Sequence, residues 1–151
     1  MRHLLSRRVS LAALPAWYIG TAWANPVDLI LRPEAALPPP ADAPSATRAV
    51  TRGPIIRMVA PGPSPADLTG PFWFRLEFAA RGGARIQPAS LRVKYLRAWE
   101  VDLSDRLKPF TTAHALEIRE AVVPAGTHHL RVEIEDEDGR KGSALILLRM
   151  A

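Results

Sequence analysis

From Pro54 onward the chain is written in short runs of alternating apolar and polar residues, with no long amphipathic helix pattern among them. Alternation with a period of two puts successive side chains on opposite faces of a strand, so each run offers one face to a core and one to water. In "PFWFRLEFAA", Phe72, Phe74, Leu76 and Phe78 share one face, while Trp73, Arg75 and Glu77 share the other. "SLRVKYL" sets Leu91, Val93 and Tyr95 against Arg92 and Lys94. "THHLRVEIE" sets Leu130, Val132 and Ile134 inward against Arg131, Glu133 and Glu135. "PIIRMVA" and "ALEIREAVV" read as two further strands, and "SALILLRMA", more continuously apolar, as a buried closing strand. "LKPFTT" reads as a short edge strand, where Pro109 is tolerated. The expected class is all-β, with about seven strands between residues 54 and 151.

The N-terminal third has a different composition. "MRHLLSRRVSLAALPAWYIGTAWA" has a basic start, an apolar middle from Val9 to Ile19, and small residues at Ala22 and Ala24. That is the layout of a signal peptide, residues 1–24, with cleavage expected after Ala24. The apolar run falls short of the roughly 20 residues that a spanning helix needs, so no membrane span is expected after cleavage. "SRRVSL" leaves both the general and the twin-arginine export routes open. Residues 25–53 carry Pro26, Pro33, Pro38, Pro39, Pro40 and Pro44 among alanines. Proline fixes φ and lacks an amide donor, so this stretch reads as an extended, solvated arm, with "VDLILR" as a weakly ordered apolar island in it.

Charge supports the same reading. The net charge of +5 rests on 20 basic and 15 acidic residues, and Arg2, Arg7 and Arg8 lie inside the leader. Without those three the excess falls to +2, interspersed along the chain, and no nucleic-acid footprint is expected. There is no cysteine, which excludes disulfides, thiolate metal sites and cysteine nucleophiles.

Two segments carry a resemblance. "RIQPASLRV" resembles the part of bacterial immunoglobulin-like domains in which an isoleucine, a polar residue, a proline and a serine precede an alternating strand. "VPAGTHHLRVEIEDEDGRKG" is similar to their penultimate strand and last hairpin, although Arg140 follows Gly139 where asparagine is usual. The likeness spans roughly Pro54 to Met150. It implies a single Ig-like β-sandwich of about seven strands, a size and spacing that the strand pattern also fits. It further implies an extracytoplasmic binding, spacing or adhesion module, and it brings no catalytic residues with it.

The acidic run "IEDEDGRKG" tests for calcium. With Gly139 at position six of the calcium-loop template, Asp136 and Asp138 take positions three and five, but Ile134 stands at one and Leu145 at twelve, where ligands are required. The run reads instead as a solvated hairpin turn, since Asp-Gly suits such turns. His128 and His129 are strand neighbours whose side chains diverge, and His128, on the face of Leu130, reads as a hydrogen-bonded residue at the rim of the core. No metal site and no cofactor are therefore expected; the residues that would be candidates for one are Asp136, Asp138 and His128, with His114 able to join one of the paired histidines. Ser104 between Asp102 and Asp105 reads as turn and capping chemistry, with Arg106 free to pair with an acid. No phosphate-cradling loop or nucleophile elbow is present, and no enzyme is expected. Trp73 beside Arg75 has the composition of a binding hot spot; the alternative is that the arm or a loop covers the ring. The sequence therefore describes a periplasmic or secreted, non-catalytic binding or structural module whose partner is another envelope protein or a surface polymer. The alternatives are a small periplasmic metal carrier and an accessory subunit of an exported enzyme.

Overall fold

A computed structural model describes residues 25–45, 52–62 and 67–151; the expected leader and its cleavage site lie outside them. Eight strands are present among the described residues: β1 Val27–Asp28, β2 Ile55–Ala60, β3 Phe72–Ala79, β4 Ile86–Leu96, β5 Glu100–Asp102, β6 Ala115–Val122, β7 Gly126–Asp136 and β8 Lys141–Met150. They form two four-stranded sheets, ordered β1-β6-β3-β2 and β5-β4-β7-β8. All pairings are antiparallel except that of β1 with β6.

The expected alternation builds the core. Phe74 and Leu76 from the first sheet and Leu91, Val93, Tyr95, Leu130, Val132 and Ile134 from the second are buried in one shared cluster. The outward set of β3 is exposed or half-buried. Alternation breaks once on β6, where Leu116 and Ile118 face inward and so do Ala121 and Val123. The register explains it: Phe72 pairs with Ala121 but Phe74 with Ile118, so β6 carries one extra residue in a bulge opposite Trp73.

Two segments depart from the sequence reading. "LKPFTT" is no strand; α2, Ser104–Leu107, runs into a 3₁₀ turn at Lys108–Phe110. Pro109 sits in that first turn, where its missing amide costs nothing. β5, which the alternation did not reveal, supplies the short edge strand instead.

The second departure is the apolar island. β1 pairs with Ala121 and Val122, and the Leu29 amide donates to the Val122 carbonyl at 2.9 Å. Leu29 and Ile30 are fully buried members of the core. A short helix follows, α1, Arg32–Ala35, with the Glu34 carboxylate accepting the Leu31 amide at 2.8 Å. Arg106 then clamps the arm, donating to both Glu34 oxygens (2.7 and 3.0 Å) and to the Leu29 carbonyl (3.1 Å). Burial works against the Glu34 charge, but Arg106 and the Leu31 amide outweigh it and hold the carboxyl below its usual range. The island is ordered because two large side chains find a groove and a guanidinium finds its carboxylate.

The two sheets are also joined by a backbone crossing. A side chain at Gly142 would put its Cβ 1.9 Å from the Pro54 carbonyl oxygen, and one at Gly53 would lie 2.0 Å from that of Lys141. Only glycine lets the two segments approach so closely.

Candidate functional site

The outer face of the β2-β3-β6 sheet carries the residues singled out for binding. Trp73 remains 41% exposed. Its indole Nε1–H donates to Glu117 Oε1 at 3.0 Å, and the Arg119 guanidinium lies 5.5 Å from the ring centroid. The bulge on β6 is what brings Arg119 opposite Trp73, an instance of a bulge re-aiming a side chain. Arg75 bridges Glu117 (3.3 Å) and Glu77 (3.2 Å), and Arg57 on β2 closes on Glu77 at 2.8 Å. The Arg57 hydrogen bond is the main reason the Glu77 carboxyl sits below its usual range; burial opposes it, and Arg75 adds to it. A ladder of alternating charge thus crosses three strands and ends in an aromatic ring held on two sides. Below it lies a depression of about 380 Å³ lined by Ile55, Arg57, Arg75, Glu77, Ala79 and His114. The arm runs along β6 and α2 and leaves the tryptophan partly open.

The acidic turn is built differently from the expected solvated one. Asp136 is fully buried, and its carboxylate accepts the amides of Asp138 (3.0 Å) and Arg140 (2.9 Å) and the Arg140 Nε–H (2.8 Å). The Asp136 carbonyl accepts the Gly139 amide at 3.0 Å, and Gly139 takes a φ of 74°, so a type I-like turn closes through a left-handed glycine. Burial raises the Asp136 carboxyl, but the Arg140 bonds and the Asp138 amide prevail and lower it. The remaining Arg140 donors reach Asp138 (2.8 Å) and the Arg81 carbonyl (3.2 Å), which ties this hairpin to the β3–β4 turn. Both Asp136 oxygens are thus engaged by the chain's own donors.

His128 lies at the opposite end of β7, buried and hydrogen-bonded. Its Nε2 is 2.8 Å from the Pro124 carbonyl, which can only accept, so this nitrogen carries the proton and Nδ1 accepts from the Tyr95 hydroxyl at 2.8 Å. The Tyr95 oxygen in turn accepts from Arg97 Nε–H, and Arg97 Nη2 donates to the Ala35 carbonyl of the arm at 2.9 Å. Asp136, Asp138 and His128 are therefore not gathered in one place. Among the described residues no group of three or more His, Asp or Glu side chains is close enough to hold a metal ion.

The expected turn chemistry is present around Asp102, but Ser104 is the first residue of α2 and not its cap. Its amide donates to Asp102 Oδ1 at 2.8 Å, and its buried hydroxyl accepts the Val93 amide at 2.9 Å. One residue escaped the sequence reading. Trp99 is 56% exposed in the β4–β5 turn, next to Ala98, whose amide donates to the Pro38 carbonyl. A lone tryptophan inside a short turn was the only signal for it.

The fold and the site define an all-β protein of two sheets over one core, with a fixed aromatic and a charge ladder on one outer face. No protein-family model, curated protein or solved structure matches the chain.

Proposed function

We propose that the chain is an exported, non-catalytic binding or structural module of the cell envelope, with an Ig-like sandwich as its scaffold and the Trp73 face as its contact surface. The observation that carries this reading is the tryptophan itself. A large ring left open to solvent, yet fixed by Glu117 and Arg119 on a sheet backed by the core, is arranged for contact before a partner arrives. The strand order supports the scaffold: β2, β3 and β6 stand where strands A, B and E of an Ig-like fold would, and β4, β7 and β8 where C, F and G would. β1 then fills the fourth place beside β6. The leader layout supports export. The partner is another envelope protein or a surface polymer.

The test is made on the protein expressed with its own leader in a bacterial host. The extracytoplasmic form should begin at Asn25 by intact mass. A photoreactive residue in place of Ala79, exposed on the same outer face as Trp73, should give an adduct that one in place of Gln87, on the other sheet, does not. Equal labelling at both positions, or none at position 79, overturns the reading. Phe74→Ala serves as the fold control: it removes a fully buried ring and should cost about 3–5 kcal/mol. Trp73→Ala should cost about half as much and abolish the adduct partner's binding.

A further inference from the structure

The buried relay from His128 ends on the arm, and that gives it a consequence beyond packing. Each link has one polarity when the imidazole is neutral: His128 Nε2–H to Pro124, Tyr95 O–H to His128 Nδ1, Arg97 Nε–H to the Tyr95 oxygen, and Arg97 Nη2–H to Ala35. Every donor in the chain then has its acceptor. A proton on Nδ1 turns that acceptor into a donor. The Tyr95 O–H loses its acceptor, and its oxygen faces two cationic donors at once. Arg97 also stacks on the Tyr95 ring, 4.9 Å from its centroid, so it cannot retreat without leaving Ala35.

We propose that His128 is a pH-operated latch on the arm, whose protonation releases the far end of α1 and the residues after it, Ala35 to Pro38, from the β4 end of the core. The groups around it favour this outcome. On β7 itself His129 is the neighbour, from β4 and its following turn come Tyr95 and Arg97, and β8 contributes the apolar Leu148. On the arm Glu34 is the charged group nearest the relay, and it is already committed to Arg106. No carboxylate is bonded to the ring to stabilise its charge. Burial pushes the imidazole below its ordinary value near 6.5, and Arg97 and His129 act in the same direction against the Pro124 carbonyl. The neutral, latched state is therefore the neutral-pH state. Leu29 and Ile30 stay in the core, Arg106 keeps its hold on Glu34, and together they form the hinge side, so release is local.

Hydrogen exchange on the processed protein tests this. The amides of Ala35, Ala36 and Leu37, which donate to Leu31, Arg32 and Glu34, report the released stretch, and the β3 amides serve as the internal reference. After correction for intrinsic rates, lowering the pH from 7.5 to 5.5 should speed arm exchange by up to about tenfold. That is the ceiling for one group with its ordinary pKa in the open state. His128→Gln should remove the pH dependence. Arg97→Ala, which leaves the buried ring untouched, should give fast arm exchange at both pH values while the β3 amides stay protected. Arm exchange that does not change with pH, or a pH dependence that survives in His128→Gln, overturns the proposal. Should His128→Gln fail to fold, slow and pH-sensitive arm exchange in Arg97→Ala overturns it equally.

Discussion

Leu29→Ala is the perturbation that most directly tests whether the N-terminal arm belongs to the core. Leu29 and Ile30 are fully buried within the main cluster, whereas Leu31, the next residue, is 39% exposed. Truncating a buried leucine loses the transfer free energy of the removed carbons and leaves a cavity within the main cluster, for a total of about 2–5 kcal/mol. Around Leu29 itself the arm is held by one short parallel pairing and the Arg106 clamp, so it can shift to fill part of the void, and the expected loss is about 3 kcal/mol. In a domain of this size that corresponds to a fall of roughly 10 °C in Tm. Leu31→Ala, by contrast, should stay within about 0.5 kcal/mol. Urea denaturation of the processed protein, followed by far-UV circular dichroism, gives both values from the midpoint at constant slope. If Leu29→Ala is as mild as Leu31→Ala, the segment is solvated and its packing against β6 is refuted. A reduced slope together with a large loss would mean that the arm unfolds ahead of the sheets, which is a different molecule from the one described.

Gly142→Ala should be strongly destabilising, by more than about 3 kcal/mol, because its Cβ would meet the Pro54 backbone and not a movable side chain. Gly62→Ala, with open space around it, should be neutral or stabilising by up to about 1 kcal/mol, and thermal melts that fail to separate the two would refute the crossing. Arg140→Ala should lower Tm at neutral pH and much less in acid. The Asp136 carboxyl is lowered from its ordinary 3.8, so its stabilisation is full above that value and is lost as pH falls through the folded pKa; melts at pH 7 and pH 2.5 check the sign.

How much of this was legible follows from what a period of two can carry. Where alternation runs unbroken, along β3, along β7 from His128 and along β4 from Leu91 to Tyr95, inside and outside were readable residue by residue; the register shift between Gln87 and Arg92 breaks it earlier on β4. The burial of Asp136 and His128 was also present in that signal. They share the parity of Leu130, Val132 and Ile134, and the alternation on β7 runs unbroken from His128 to Asp136. Composition misled there, because a run of acids before a glycine looks like a solvated turn. The satisfying donor, Arg140, comes from the far side of that turn, where only the closed hairpin brings it back. The β6 bulge left a trace as a break in alternation, yet nothing local says which partner strand the extra residue opposes. The arm was the least legible. Its strand is two residues long, too short for any period, and its helix is fixed by Arg106, which lies 72 residues away. The Trp73 face was readable as an outward tryptophan beside an arginine. Its fixing by Glu117 and Arg119 was not, because both come from a strand 44 residues further on.

Arginine is what the segments outside regular pairing have in common. Arg106 binds the start of the arm through a carbonyl and a carboxylate, Arg97 binds its helix through a carbonyl and a tyrosine, and Arg140 joins two turns through two carboxylates and a carbonyl. Each makes at least two directed bonds from one planar fork, which a lysine ammonium on a flexible stem does not reproduce. This bears on how the basic excess is to be read. A chain with more arginine than its acids require suggests an anionic partner, but here three of the guanidiniums are committed to the chain's own carbonyls and side chains. Those that remain on the Trp73 face, Arg57, Arg75 and Arg119, alternate with Glu77 and Glu117. Such a face has little net field to draw a polyanion from a distance. On the proposed reading it would discriminate at contact, by matching a partner's own alternating charges around an aromatic anchor, and its affinity should respond more to the loss of Trp73 than to added salt.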